Sequence, residues 1–266
     1  MHKHLPRPYR SVALLLLLAL LSGCASVPSE DRHPEDPLEP YNRAVFAFND
    51  RLDRAVLKPA AEVYSELPDP LQTGVGNFFS NLDDFRVAFN NVLQGKFHNA
   101  ASDTARILFN SSFGVFGLID VASPMGLAKH NEDFGQTLGV WGVPAGPYLQ
   151  LPFLGPSSAR EAPALVVDFY TNPRNYTVSG SRELRDNFAV LLVLDVVHAR
   201  AGLLATEDLL DAYSEDRYVA VRDLWLQRRE FLVRDGEVVD DEAWLDDLDE
   251  LEELEALEAL EAEEAF

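Results

Sequence analysis

Cys24 is the residue whose chemistry is most clearly indicated by its neighbours. It follows Leu21-Ser22-Gly23, and an aliphatic residue, two small residues and a cysteine form the signal at which bacteria attach lipid to the thiol. Cys24 is the one cysteine of the chain, and lipidation converts its thiol to a thioether, so no disulfide can form. Each buried acyl methylene contributes about 0.8 kcal/mol, so several acyl chains make a stable anchor. The sequence predicts lipidation of Cys24; the alternative is a plain export signal with an incidental cysteine.

The other residues able to do chemistry form no recognised catalytic or metal-binding motif. The six histidines lack the H-E-x-x-H spacing of a zinc site, no G-x-S-x-G elbow occurs, and Gly74-Val75-Gly76 lacks the third glycine of a dinucleotide fingerprint. The residues that could be imagined as an acidic site are Asp83, Asp84, Asp103 and His98. Helix capping and solvated faces explain them better. The sequence thus carries no catalytic or metal-binding motif, and an enzyme whose site assembles from distant residues stays open as an alternative.

The N-terminus has the layout of a secretory signal. Three basic residues precede the apolar run 12–21, which is too short for a bilayer core of about 30 Å. Ala25 stands where an aspartate would retain an enterobacterial lipoprotein in the inner membrane, which favours the outer membrane. The predicted segments are a signal peptide at 1–23, a lipidated tether at 24–37, a folded domain at 38–236 and a low-complexity acidic tail at 237–266.

The net charge of −22 is concentrated in that tail. Residues 237–266 carry 15 acidic and no basic residues and the leader carries +3, so residues 24–236 carry −10. Leucine at every third tail position spirals around a helix instead of forming a seam. We interpret the tail as a solvated, partly helical appendage; docking to a basic partner is the alternative. The body has no basic stripe, which argues against nucleic acid and favours lipids or proteins as partners.

Apolar residues at helical spacing predict an all-α body. The predicted helices are 40–57, a second capped by Asp83 or Asp84 and ending near Gly95, 99–110, a long one capped by Ser181, and 216–234. Pro40 suits the first turn of its helix, and Pro59 is expected to stop that helix. Strictly alternating runs are scarce, so no sheet-based core is expected.

Two apolar segments are broken by glycine and proline. Residues 134–159 carry no charge over 26 positions, and residues 109–128 carry one, Asp120. Four prolines exclude a straight spanning helix in residues 134–159. The segments flank a short charged island, which favours two limbs of one hairpin. They are either the glycine-rich core of a soluble domain or irregular backbone at membrane depth, where it must be covered by protein or line a wet cavity.

Several long motifs in the body are shared with one known family. They are Asp36-Pro37-Leu38-Glu39-Pro40-Tyr41-Asn42-Arg43, Asn90-Asn91-Val92-Leu93-Gln94-Gly95, Gly117-Leu118-Ile119-Asp120-Val121-Ala122, Asp133-Phe134-Gly135-Gln136-Thr137-Leu138-Gly139, Gly146-Pro147-Tyr148-Leu149-Gln150-Leu151-Pro152-Phe153 and Asp216-Arg217-Tyr218. On these motifs the chain resembles the MlaA (VacJ) family of outer-membrane lipoproteins over residues 36–236. Pro40 stands where many members have glycine, Arg217 stands where proline is common, and the acidic tail has no counterpart.

The resemblance implies an all-α, ring-shaped lipoprotein embedded in the outer membrane around a central amphipathic channel. Such proteins remove misplaced phospholipids from the outer leaflet and pass them to a soluble periplasmic lipid-carrier protein for retrograde transport, which maintains lipid asymmetry. They associate with a trimeric outer-membrane porin, are lipid-anchored on the periplasmic side, and act without enzymatic chemistry or a cofactor. The alternatives are a structural envelope lipoprotein and a lipid hydrolase.

The resemblance also suggests where the channel and its gate lie. A phospholipid has a charged head and two apolar tails, so its passage needs a polar lane beside apolar walls. The expected channel-wall residues are Gln136, Thr137, Trp141, Tyr148, Gln150 and Phe153. The expected hairpin and gate residues are Phe46, Phe48, Asn49, Phe113, Phe116, Asp120 and Met125.

Overall fold

A computed structural model describes residues 33–175 and 182–237, with the backbone alone for residues 182–189. The described elements are mostly helical, which confirms the all-α prediction. Two strands form one small hairpin, in line with the expectation of no sheet-based core. Cys24, the Ser181 cap and the acidic tail beyond Glu237 lie outside the described residues.

The N-terminal helix continues past its predicted end. Helix α1 (Glu39–Leu52) begins with Pro40 in its first turn, as predicted, and leads through a π-helical turn (Asp53–Leu57) into α2 (Lys58–Ser65). The prediction that Pro59 stops this helix was wrong. The N–H of Lys58 donates to the carbonyl of Asp53, five residues back. This wider spacing carries the chain past a proline that has no N–H to donate.

Helix α3 (Asp69–Leu93) starts well before Asp83 and Asp84, so the prediction that these residues cap it was wrong. Both lie inside the helix. Asp83 pairs with Arg86 at 2.7 Å, and the fully buried Asp84 contacts Lys129. Ion pairing therefore accounts for the two aspartates.

Helix α4 (Phe97–Ser112) agrees with the predicted helix 99–110 to within two residues at each end. It follows the turn at Gly95, where φ is +77° and glycine avoids the strain of a side chain. Helix α4 packs along α3. The pair forms the frame against which the first apolar segment folds.

The apolar segment 109–128 folds back on the end of α4. The side-chain oxygen of Asn110 accepts from the N–H groups of Val121 and Ala122 at 2.9 and 3.0 Å. The Nδ2 of Asn110 donates to Asp120 at 3.1 Å. The segment is thus closed by its own hydrogen bonds.

The apolar segment 134–159 contains elements of its own. They are helix α5 (Phe134–Val140) and the strands β1 (Tyr148–Leu151) and β2 (Gly155–Ser158). The strands pair antiparallel, with Tyr148 opposite Ser158 and Leu151 opposite Gly155. The prediction that this segment and residues 109–128 are limbs of one hairpin was wrong. Residues 109–128 fold back on Asn110, whereas residues 134–159 form a strand pair of their own.

The remaining described elements include a 3-10 turn within the segment 109–128 and four helices. They are a 3-10 turn (Ser123–Met125), α6 (Glu161–Thr171), α7 (Arg182–Ala201), α8 (Leu204–Tyr213) and α9 (Arg217–Val233). Asp216 caps α9 by accepting from the N–H of Tyr218 at 2.9 Å, which confirms the predicted helix 216–234. Helix α2 packs on α7, and α5 packs on α6 and α9.

The first described residues belong to the folded body. Asp36, which lies in the predicted tether 24–37, is fully buried. It accepts a hydrogen bond from Asn42 Nδ2 at 2.7 Å and another from the hydroxyl of Tyr218, and it lies 3.4 Å from the guanidinium of Arg222. The end of the tether is therefore anchored under α9.

Many positions in the interior are polar, whereas much of the surface is apolar. Fully buried polar residues include Asn42, Asp84, Asn90, Asn91 and Asp103. Apolar residues more than 60% exposed include Phe97, Leu108, Phe113, Phe116, Leu154 and Leu209. So large an apolar surface indicates contact with membrane or protein. Among the described residues, no helix is both long and apolar enough to cross a membrane.

Candidate functional site

Two cavities have Pro156 and Trp225 in common in their walls. The first, which we name the Asp168 cavity, has a volume of about 450 Å³ and lies between α3, α6, α9 and β2. The second, the Glu207 cavity, has a volume of about 500 Å³ and lies between α1, α8, α9 and the β-hairpin. Since both touch the same two side chains, they are neighbours, and together they form the candidate site.

The shared wall is supported by Tyr148. The ring of Trp225 lies edge-to-face against the ring of Tyr148, with centroids 5.7 Å apart. Tyr148 is fully buried; its N–H donates to the carbonyl of Glu35 at 2.7 Å and its hydroxyl to Gln150 Oε1 at 2.8 Å. Pro156 lies opposite Gln150 in the strand pair. The hairpin and α9 therefore meet at this wall.

Three arginines and three carboxylates line the Asp168 cavity: Arg86, Arg174, Arg229, Asp133, Glu161 and Asp168. Arg229 joins two of the carboxylates, with NH1 2.6 Å from Asp133 Oδ2 and NH2 2.5 Å from Glu161 Oε2. Asp133 also caps α5 by accepting from the N–H of Gln136 at 2.8 Å. Burial alone would raise the pKa of Asp133, but the hydrogen bonds and charge of Arg229 outweigh it and lower the pKa to about 2.

Asp168 is paired less closely than the other two carboxylates of its cavity. The guanidinium NH1 of Arg86 is 3.9 Å away, beyond hydrogen-bond distance. Asp168 accepts from the N–H of Phe134 at 3.0 and 3.2 Å and from Asn90 Nδ2 at 3.4 Å. Burial raises the pKa of Asp168 to about 6, and Arg86 offsets only part of this effect.

Apolar side chains share this cavity with the charges. They are Leu154, Leu165, Phe169 and Trp225, of which the first three are exposed. A molecule with a charged part and an apolar part would meet suitable surfaces for both.

The Glu207 cavity has the same two-sided character. Arg200 binds Asp53 through Nε at 2.7 Å and NH2 at 2.9 Å and also contacts Glu207, which Arg217 reaches at 2.8 Å. Although burial acts against it, hydrogen bonds from these arginines lower the pKa of Glu207 to about 2. Arg228, exposed on the wall, forms no ion pair with any residue that the structure describes. The apolar side chains that line the Glu207 cavity include Phe46, Leu203, Leu210, Val221, Leu224 and Trp225.

The residues predicted to form a channel wall are placed differently from one another. Gln150 lines the Glu207 cavity, and Tyr148 supports the shared wall from behind. Gln136 and Thr137 are buried, and the hydroxyl of Thr137 donates to Asn90 Oδ1 at 2.9 Å. Trp141 and Phe153 are more than half exposed and line neither cavity. A channel-wall role for these residues stays a prediction.

Three predicted gate residues on α1 lie near the hairpin tip. Phe46 and Asn49 line the Glu207 cavity, and Phe48 packs edge-to-face on Phe153 with centroids 5.3 Å apart. Asn49 Nδ2 donates to the carbonyl of Leu151 at 2.9 Å, and the N–H of Phe153 donates to Asn49 Oδ1 at 2.9 Å. Phe153 has a φ of +66°, which is uncommon for a residue with a side chain. Helix α1 therefore holds a strained turn.

The other predicted gate residues lie in the segment 109–128. Phe113, Phe116 and Met125 are 71, 78 and 56% exposed. Asp120 instead holds the segment together and pairs with Arg106 at 3.1 Å. Burial acts to raise the pKa of Asp120, but hydrogen bonds from Ser123, Arg106 and Asn110 lower it well below its usual range. A gating role stays a prediction for these residues too.

Three of the four residues considered for an acidic catalytic site are engaged in the fold. Asp103 is fully buried between Asn91 Nδ2 at 2.8 Å and His130 Nδ1 at 2.9 Å. Asp83 and Asp84 pair with the basic residues described above, and His98 is exposed. Within the described residues, no group of three or more histidine, cysteine or acidic side chains is placed to hold a metal ion.

Asp168, Glu207 and Trp225 were missed in the sequence analysis. Asp168 does carry a signal, because it is the one charge in the apolar run 162–170. Glu207 and Trp225 carry no such signal, since their importance depends on which helices meet.

Comparison with known proteins gives a consistent family. A family model described as MlaA lipoprotein matches residues 34–232. Relatives from Shigella flexneri and Escherichia coli (strain K12), both named "Intermembrane phospholipid transport system lipoprotein MlaA", are 34% identical over 248 and 241 residues, covering 88% of this chain and 92% of each relative. A solved structure, from work on the structural basis for maintenance of bacterial outer membrane lipid asymmetry, has a TM-score of 0.63 at 32% identity and covers 74% of this chain and 98% of that chain. The chain belongs to the MlaA lipoprotein family.

Proposed function

We propose that this chain is a lipoprotein that transports phospholipids within the bacterial envelope, through the passage formed by the Asp168 and Glu207 cavities. The observation that carries the proposal is the similarity, over 92% of their length, to relatives named as phospholipid transport lipoproteins. The geometry supports it, because both cavities combine charged and apolar walls. The headgroup of a phospholipid needs charged walls, and its acyl chains need apolar walls.

The division of polar and apolar surfaces suggests how a phospholipid moves. Exposed phenylalanine and leucine side chains suit contact with acyl chains, so the outer surface would lie among lipids. The headgroup would enter the passage at Trp225, where arginines of both cavities can bind its phosphate. Arg228 is the best placed in the Glu207 cavity, because it has no ion-pair partner among the described residues. No chemical step and no cofactor is needed for such transfer.

We further propose the place and direction of transport. Acylation at Cys24, followed by Ala25, would anchor the protein in the outer membrane on the periplasmic side. There it would remove misplaced phospholipids from the outer leaflet and pass them to a soluble periplasmic carrier, in association with a trimeric porin. The ring shape and central channel are part of this proposal.

Deletion of the gene in its own bacterium tests the function. We expect several-fold more phospholipid in the outer leaflet, measured by labelling intact cells, and greater sensitivity to detergent. Restoring the wild-type chain should reverse both effects. Normal surface phospholipid in the deletion strain would contradict the proposal and favour a structural envelope role.

The anchor and the partners have a separate test. A Cys24→Ser variant should lose the acyl mass and its retention in the outer-membrane fraction. Crosslinking followed by purification of the wild-type chain should recover a trimeric porin and a periplasmic carrier. Recovery of neither would contradict the proposed partners without touching the transport function.

A further inference from the structure

The Asp168 cavity holds a carboxylate with room for a cation. Its other two carboxylates, Asp133 and Glu161, each lie within 3 Å of an arginine nitrogen. Asp168 lies 3.9 Å from Arg86, and its strongest hydrogen bonds come from one backbone N–H. An ionised carboxylate offers about four lone-pair sites, so capacity remains for a further donor.

The charges that line the cavity cancel. Arg86, Arg174 and Arg229 face Asp133, Glu161 and Asp168, so the wall has no net charge. Such a wall favours a headgroup that carries one positive and one negative charge. A headgroup that is only negative would be attracted by the arginines but repelled by the carboxylates. The guanidinium of Arg174 pairs with Asp195 through NH1 at 2.5 Å and is a third exposed, so its exposed face supplies the surface for the negative group.

Apolar neighbours indicate that the ligand is a lipid. Leu154, Leu165 and Phe169 line the same cavity and are exposed, so acyl chains can lie against them while the head stays in the cavity. Ser157 adds a polar atom to the wall, a buried hydroxyl with no partner among the described residues.

We propose that the Asp168 cavity selects phospholipids whose headgroup carries a primary amine, with the ammonium on the carboxylate of Asp168 and the phosphate toward Arg174. The proposal rests on the proposed transport function and adds a headgroup preference to it. A primary ammonium donates up to three hydrogen bonds, whereas a trimethylated one donates none. A glycerol headgroup brings no positive charge to this partly buried carboxylate, whose nearest guanidinium nitrogen, on Arg86, lies 3.9 Å away.

Binding at this site should depend on pH. Burial raises the pKa of Asp168 to about 6, so the carboxylate is mostly ionised at pH 7.5 and mostly protonated at pH 5. The charged groups that face it are Arg86 from α3, Asp133 before α5, Glu161 on its own helix, Arg174 after it, and Arg229 from α9. Although burial acts to lower them, the pKa values of Arg86 and Arg229 are raised by their carboxylate partners, so both stay charged over this range. Asp133, with a pKa of about 2, stays ionised, so Asp168 is the group with a resolved pKa inside the range.

The test uses the full acylated chain, incubated with vesicles of phosphatidylethanolamine, phosphatidylglycerol and phosphatidylcholine in equal parts. Lipids that copurify with the protein are then counted by mass spectrometry. We expect the ethanolamine lipid to be enriched about tenfold over the other two at pH 7.5, as one charge-assisted hydrogen bond allows. The enrichment should fall severalfold at pH 5.

Variants identify the residue. Asp168→Asn keeps the oxygen that accepts from Phe134 but removes the charge, and should bring the enrichment close to parity. Asp168→Glu should retain part of it. Glu66→Gln, which removes one charge at an exposed position, should leave it unchanged.

The outcomes separate this inference from the function on which it rests. Equal recovery of the three lipids by the wild type, or an unchanged preference in Asp168→Asn, would overturn the headgroup site and leave transport standing. The comparison of the three lipids on the wild type needs no variant, so it decides even where Asp168→Asn does not fold. Recovery of no phospholipid would overturn both.

Discussion

The hydroxyl of Tyr218 donates a hydrogen bond to the buried carboxylate of Asp36, 182 positions earlier in the chain. Two motifs from opposite ends of the folded body, 36–43 and 216–218, thus meet at one contact. Arg222 lies beside it at 3.4 Å, so Asp36 is a second charge partner for a buried arginine that also pairs with Asp223 at 2.8 Å. The N-terminal segment is in this way fixed under the helix that carries Trp225.

Asp36→Ala should destabilise the protein by about 3 kcal/mol, because it removes the buried acceptor of the Tyr218 hydroxyl and of Asn42 Nδ2 and leaves Arg222 with Asp223 as its remaining charge partner. Tyr218→Phe removes one hydrogen bond and should cost about 1 to 2 kcal/mol. Both are measured by denaturant unfolding in detergent. Glu35→Ala, at the exposed neighbouring position, is the control and should change little. A loss below about 1 kcal/mol for Asp36→Ala would show that the contact is dispensable.

Gly135→Ala should be strongly destabilising. A Cβ at this position would lie 1.7 Å from Glu161 Oε2 and 3.0 Å from Arg229 NH2, so it would break the bridge between α5, α6 and α9. We expect a loss of about 3 kcal/mol or more, seen as a lower midpoint of thermal unfolding. Gly74→Ala is the matched control: its Cβ meets Leu118 at an ordinary 3.7 Å inside a helix, and it should be neutral or slightly stabilising. Equal effects of the two variants would contradict the packing at Gly135.

Asn49→Ala should release the turn at the tip of the β-hairpin. The side chain closes two hydrogen bonds there, and Phe153 has a strained φ, so the turn loses its restraint when they are removed. The expected result is faster hydrogen exchange at the N–H of Phe153, by about tenfold or more, with a loss of stability of about 1 to 3 kcal/mol. Unchanged exchange at Phe153 would show that strand pairing alone holds the turn.

Acid should weaken the protein through Asp133. Its pKa in the fold is about 2, below the ordinary 3.8, so the stabilisation by Arg229 is fully present above pH 3.8 and is lost as the pH falls through 2. The loss amounts to about 2 kcal/mol and is measured as the unfolding free energy at pH 5 and pH 2. Asp133→Asn should remove this part of the pH dependence. A variant with the same slope as the wild type would show that other carboxylates carry it.

The sequence was sufficient for the parts of the fold that depend on local patterns. Helices α4 and α9 agree with the predicted helices 99–110 and 216–234. The prediction that Asp83 or Asp84 caps a helix was wrong, because a capping aspartate and an aspartate that pairs with a basic side chain look alike in sequence. The prediction that Pro59 stops the N-terminal helix was wrong, because a π-helical turn accommodates the proline. The site itself depends on long-range contacts, such as Trp225 against Tyr148, which no local pattern contains.

The most direct test of transport through the two cavities is the outer-leaflet phospholipid content of cells that produce a chain with one cavity filled. Leu165 lines the Asp168 cavity and is partly exposed, so Leu165→Trp adds bulk there without crowding the buried core. Leu209→Trp, at an exposed position of α8 outside both cavities, is the matched control. We predict that Leu165→Trp, present at wild-type level, leaves surface phospholipid as high as in the deletion strain, while Leu209→Trp restores the normal amount. Restoration by both variants would contradict a passage through these cavities.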